Sequence, residues 1–120
     1  MSKQATQDAK IAGMSFGLIY PLYVQKVEKK GRSEEELLDV LCWLTGMKAA
    51  QIQEHVDSES TIEELFQSAE LNPNASMITG VVCGYRVEEI ENPLTQKARY
   101  MDKLVDELAR GKKMESILRS

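Results

Sequence analysis

Residues 33–46 read Ser-Glu-Glu-Glu-Leu-Leu-Asp-Val-Leu-Cys-Trp-Leu-Thr-Gly. Ser33 followed three residues later by Glu36 is a capping box: the hydroxyl accepts from the third amide of the helix, and the carboxylate reaches back to the cap amide. Gly46 is a natural stop, because glycine enters the left-handed region without a Cβ clash. Between these signals Leu37, Leu38, Leu41, Cys42 and Leu44 make the segment broadly apolar, with Trp43 flanking that face. A helix apolar over much of its circumference is a buried one. This stretch therefore predicts the central helix of an all-α protein.

The segments on either side read helical too. Upstream lies FGLIYPLYVQKVEKKG, residues 16–31. Pro21 suits the first turn of a helix, and Gly31 ends it behind Lys29 and Lys30, cations that suit a helix C-terminus. Tyr20, Tyr23, Val24 and Val27 line one face; a helix from Ser15 kinked at Pro21 is the alternative. Downstream, a helix over about 48–56 turns Ala49, Ile52 and Val56 inward. Thr61 and Glu64 form a second capping box, opening a helix with Ile62, Leu65, Phe66 and Ala69 as its face. Asn72-Pro73-Asn74 makes a turn. Asn92-Pro93 is an N-cap followed by proline, and opens the last long helix. Leu94, Ala98, Met101, Val105 and Leu108 follow there as a heptad seam, reinforced by Leu104. Arg110-Gly111 interrupts it, and the remaining residues add a final turn.

Residues 76–90 fit two readings. Val81, Val82 and Tyr85 favour strand, yet Ile78, Val81, Val82 and Tyr85 also sit at helical spacing. A lone strand has no partner elsewhere in the chain, which leans the reading to helix. The expected fold is a single compact helical domain of about five to six helices, with 77–87 open between helix and extended chain. Residues 1–13 form a flexible lead and 14–120 the domain. Leu41, Leu44, Val82, Met101, Leu104 and Leu108 are its predicted core.

Composition agrees with that class. The chain has 120 residues, 42% hydrophobic and 28% charged, enough for one domain with its own core. No apolar run approaches the ~18 residues of a membrane span, and the N-terminus has no secretory h-region. A cytoplasmic protein away from membranes is the expectation. Cys42 and Cys83 fit neither a zinc spacing nor a CxxC pair, and read as reduced, buried thiols. The net charge of −4 is unevenly placed: residues 1–31 carry +3, 32–70 carry −8, 71–96 carry −2 and 97–120 carry +3.

The candidate chemistry is sparse. His55 is the single histidine, and in HVDSE Asp57 follows two residues on, off its helix face. No phosphate-binding glycine loop occurs. No cofactor and no metal are expected. Residues 34–57 have helix-turn-helix spacing, but the second helix carries Gln51, Gln53, Glu54 and Asp57 with Lys48 as its one cation. An acidic helix is poorly suited to phosphates, so nucleic acid is disfavoured as a partner. The densest polar-aromatic run is CGYRVEEIEN, where Tyr85, Arg86, Glu88, Glu89 and Glu91 could line a pocket, Arg86 clamping a carboxylate or phosphate.

Four blocks carry a family resemblance: MSFGLIYPLYVQKVEKKGRSEEE, CWLTG, LNPNASMITGVVCGYRVEEIENPL and ARYMDKLVDELARGKKMESILR. With them the chain resembles the small bacterial family known as domain-of-unknown-function 2200. The first dozen residues and 47–70 are freer. The resemblance implies a bacterial cytoplasmic protein of single-domain length, and brings no activity, cofactor or catalytic residue. Two function classes follow from the residues. One is a non-catalytic helical interaction or binding module, with an unknown protein partner or self-association through the last helix. The other is a small-ligand binder or enzyme using Tyr20, Tyr23, Tyr85, Arg86, Glu88 and Glu89.

Overall fold

The computed structural model describes residues 3–82 and 84–119. Within them the chain forms α1 (Lys3–Ala12), α2 (Phe16–Glu28), α3 (Glu34–Thr45), α4 (Ala49–Asp57), α5 (Ile62–Ser68), a 3-10 turn (Pro73–Met77), β1 (Val81–Val82), β2 (Tyr85–Arg86), a second 3-10 turn (Val87–Glu89), α6 (Pro93–Ala109) and α7 (Met114–Ile117). The fold is mostly α, as expected. Helix α1 lies where the sequence predicts a flexible lead. Among the described residues no helix is long and apolar enough to cross a membrane.

Both predicted capping boxes close. Ser33 Oγ accepts from the Glu36 amide at 3.1 Å, and Glu36 Oε1 accepts from the Ser33 amide at 3.1 Å. Thr61 and Glu64 repeat the exchange at 3.1 and 2.9 Å. Hydrogen bonds to a carboxylate favour its charged form. The Arg32 guanidinium, then the Ser33 amide, hold Glu36 below the usual carboxylate range; the Thr61 amide does the same for Glu64. Asn92 caps α6 by accepting from the Thr95 amide at 3.0 Å, with Pro93 as the first helical residue.

The end of α3 is sealed by distant chain. Each of its last four carbonyls lacks an intrahelical donor by construction. Gly46, in the left-handed region at φ 70°, donates to Cys42 O. The side chain of Asn72 donates to Trp43 O at 3.2 Å, the Asn72 amide to Leu44 O at 2.9 Å, and the Glu70 amide to Thr45 O at 2.9 Å. The turn at 70–74 thus lies directly against the helix end. Helix α3 packs on α2, α4, α6 and α7, and Leu37, Val40, Leu41 and Leu44 are fully buried. The predicted core residues Leu41, Leu44, Val82, Met101, Leu104 and Leu108 are all buried.

Two expectations are corrected. Helix α2 starts at Phe16 with Ser15 as its N-cap, so Pro21 stands inside it and not in its first turn, and the alternative start at Ser15 holds. Its start is fixed from outside: the Phe16 amide donates to Ser60 O and the Ile62 amide to Met14 O, tying the entries of α2 and α5 together. Proline at 21 has no N–H to give Gly17 O, and its ring crowds that carbonyl. Gly17 itself lets α4 approach, since a Cβ there would stand 2.6 Å from Val56 O. The second is the lean to helix at 76–90: the extended reading, left open for 77–87, holds at Val81–Val82 and Tyr85–Arg86. Val81 pairs with Arg86 and Val82 with Tyr85 in an antiparallel hairpin. Gly80 and Gly84 adopt φ of 107° and 83°, values a right-handed helix cannot hold. The strand finds its partner a few residues on, within its own segment. Cys83, expected to be buried, lies outside the described residues.

Candidate functional site

Helices α2 and α6 pack side by side. Tyr23 donates its hydroxyl to Asp102, Lys26 pairs with Asp106 at 3.6 Å, and Arg32 donates to Lys112 O at 2.8 Å. The residue numbers rise together on both helices, so the two run parallel. Both end in the same way: Gly31 and Gly111 take φ of 80° and 88°, and the amides of Arg32 and Lys112 donate back to Val27 O and Glu107 O. These are Schellman-type turns.

Alongside this seam lies a furrow of about 440 Å³. Ile11 and Met14 line it from the first helix and the turn after it, Ile19, Leu22 and Tyr23 from α2, and Ala98, Arg99, Met101 and Asp102 from α6, with Lys10 at hand. Three large apolar residues on this side are exposed to solvent: Met14 at 43%, Leu18 at 68% and Leu22 at 62%. Leu18 and Leu22 are one helical turn apart, so they share a stripe. Arg99 donates to Asp102 Oδ2 at 2.9 Å and stacks over the Tyr85 ring at 5.9 Å, while its Nε is buried with no partner.

Further along the same seam, where both helices end, is a hollow of about 560 Å³ lined by Lys26, Lys30, Asp106, Ala109, Arg110 and Gly111. Asp106 is shared by Lys26 and by Arg110, whose Nε stands 2.9 Å away. The structure thus joins parts of the two basic terminal segments of the sequence at one place.

The residues singled out from sequence are divided among several places. Tyr85, Arg86 and Glu89 do share a groove, of about 550 Å³, with Asp8, Ile90, Glu91 and Asn92. Tyr85 donates to Gln7 Oε1 at 2.9 Å. Glu88 is turned instead to the Gly80 amide at 3.0 Å. Tyr23 belongs to the α2–α6 furrow. Tyr20 is buried between α2 and α3: its ring lies 5.9 Å from Phe16 and its hydroxyl donates to Glu34 Oε2 at 2.7 Å. Burial first, then the Glu34 carboxylate, push its ionisation far above the ordinary tyrosine range. Tyr20 thus lies apart from the groove that Tyr85, Arg86 and Glu89 share.

Cys42 is a free, half-buried thiol whose pKa is pushed up by burial and then by Asp39, so it stays protonated and weakly nucleophilic. His55 lies half-buried with Nδ1 2.8 Å from Ser60 Oγ. Among the described residues no group of three or more His, Cys, Asp or Glu is arranged to hold a metal ion.

Sequence reasoning missed Ile11, Met14, Leu18, Ile19 and Leu22. The signal was present: over Phe16–Val24 apolar residues fall on every side of the helix, more than the face built from Tyr20, Tyr23, Val24 and Val27 requires.

The architecture is that of a small helical protein with surface furrows. Residues 10–119 match the family described as "Uncharacterized protein conserved in bacteria (DUF2200)", and the chain belongs to that family. The crystal structure of an uncharacterized protein, SP1917, is similar at 38% identity and a TM-score of 0.85, covering 98% of this chain and 93% of that one. No curated protein matches the chain.

Proposed function

We propose that the protein is a non-catalytic interaction module whose docking surface is the furrow between α2 and α6. The observation that carries this reading is the exposed stripe of Met14, Leu18 and Leu22, continuous with a furrow lined by Ile11, Ile19 and Ala98. Large apolar side chains gathered on one exposed face mark interaction sites, because each buried there gains the hydrophobic transfer energy its own fold has left unused. The heptad seam of α6 offers no exposed stripe of its own: Met101, Val105 and Leu108 are buried in the chain's own core, and Ala98 and Met101 only border the furrow.

Exchanging both leucines for serine separates binding from folding. The Leu18→Ser/Leu22→Ser variant should unfold within about 0.5 kcal/mol of the parent, since exposed substitutions rarely move stability further. Its affinity for amphipathic helical peptides that bind the parent should fall at least about tenfold, the loss expected of two apolar contacts. Unchanged affinity would contradict the reading, and so would a stability loss above about 2 kcal/mol, the range of buried leucines.

A second reading keeps a small ligand at Tyr85, Arg86 and Glu89, which do converge on one groove. Its lining sets three carboxylates, Asp8, Glu89 and Glu91, against one guanidinium. That balance suits an amine-bearing ligand better than the carboxylate or phosphate expected of Arg86.

A further inference from the structure

We infer that the furrow receives an amphipathic helix of a partner protein, lying antiparallel to α2 and α6 with acidic residues in its first turn. The inference rests on the docking reading above and adds the partner's chemistry and direction. The apolar furrow and the basic hollow lie in line along one seam, linked by the Tyr23–Asp102 and Lys26–Asp106 contacts. From Ile19 to Lys30 the α2 side spans about 16 Å at 1.5 Å per residue, or three turns of a docked helix.

The character of the seam changes along its length. Ile11, Met14, Ile19 and Leu22 make the end nearer the helix N-termini mainly apolar, with the paired Arg99 and Asp102 and one further cation, Lys10, among its lining. Lys26, Lys30 and Arg110 surround the other end, and Asp106 is the one carboxylate among the hollow's lining residues. Two positive charges are left in excess there.

The direction follows from helix dipoles. Helices α2 and α6 both end at the basic hollow, so both turn their negative dipole ends toward it. A partner helix carries its positive end at its N-terminus, where Asp and Glu are also favoured. Antiparallel docking sets that end against the two C-termini and its first-turn acids against Lys26, Lys30 and Arg110. Apolar residues one to three turns later then reach Leu22, Ile19 and Met14. Parallel docking would bring three negative dipole ends together. Among the described residues a second copy of this chain supplies no such helix: α3, α5 and the four-residue α7 open with acids, but Leu37, Leu41, Leu65 and Ile117 are buried in their own core.

The test is a display selection of randomised helical peptides on the full immobilised chain, with the Leu18→Ser/Leu22→Ser variant as counter-target. Asp and Glu should enrich in the first turn and apolar residues at helical spacing after it. A selected peptide should bind the Lys30→Glu/Arg110→Glu variant about tenfold more weakly at low salt, the gap closing at high salt as screening removes it. Leucine-dependent peptides with no acids, or with acids in the last turn, would overturn charge and direction while leaving the docking surface standing. Equal enrichment on the counter-target would overturn both. A dimer of the purified chain that the leucine substitutions dissolve would overturn the separate partner in favour of a second copy.

Discussion

Leu41→Ala is expected to lower the unfolding free energy by about 2–5 kcal/mol, the range for truncating a fully buried leucine. Leu41 has no exposed surface and sits on α3, the helix that touches α2, α4, α6 and α7. Atoms removed there leave a cavity walled by several elements at once, and close-packed interiors relax only partly. Urea denaturation of parent and variant measures the difference. A loss under about 0.5 kcal/mol would match an exposed leucine and would contradict α3 as the central helix.

Gly46→Ala is the second large effect. Gly46 stands at φ 70°, where a side chain costs about 1–2 kcal/mol on conformational grounds alone. Its Cβ would also stand 2.7 Å from Glu70 O, and that oxygen belongs to backbone. Moving residue 70 disturbs the segment whose Glu70 and Asn72 amides satisfy the carbonyls of Thr45 and Leu44. Adding an overpacking cost of about 1–3 kcal/mol brings the expected loss to about 2–5 kcal/mol. Gly31→Ala is the control. Gly31 has φ 80° but nothing within 4 Å of its would-be Cβ, so only the conformational cost of about 1–2 kcal/mol applies. Equal losses at the two glycines would show that the contact with residue 70 carries no weight.

Local signals were legible where they were sufficient. Ser33/Glu36, Thr61/Glu64 and Asn92-Pro93 start helices through bonds made within four residues, and the structure makes those bonds. The heptad seam of α6 was legible for a similar reason, as its spacing repeats through Leu108. What failed depended on distant chain. The start of α2 is set by Ser60 and not by Pro21; the end of α3 was legible in Gly46, and only its sealing by residues 70–72 was not. Residues 78–85 offered one apolar pattern that fitted two periods. Two glycines at positive φ decided it, and glycine alone does not announce its φ.

The candidate site divides the same way. Tyr85, Arg86 and Glu89 meet because they are neighbours in sequence. The α2–α6 furrow joins residues some eighty positions apart, such as Tyr23 and Asp102. No spacing rule reaches across that distance. The apolar excess of Phe16–Val24 was visible, but a second apolar side on a helix reads equally as deeper burial or as a docking face until the packing is known.

The docking surface itself is tested most directly by methyl-labelled solution NMR of the full chain, titrated with a selected helical peptide. Shifts concentrated on Ile11, Leu18, Ile19 and Leu22, with the methyls of buried Leu41 and Leu44 still, are the predicted result. Shifts centred on Ile90 beside Tyr85, Arg86 and Glu89, with the α2 methyls unmoved, would contradict it.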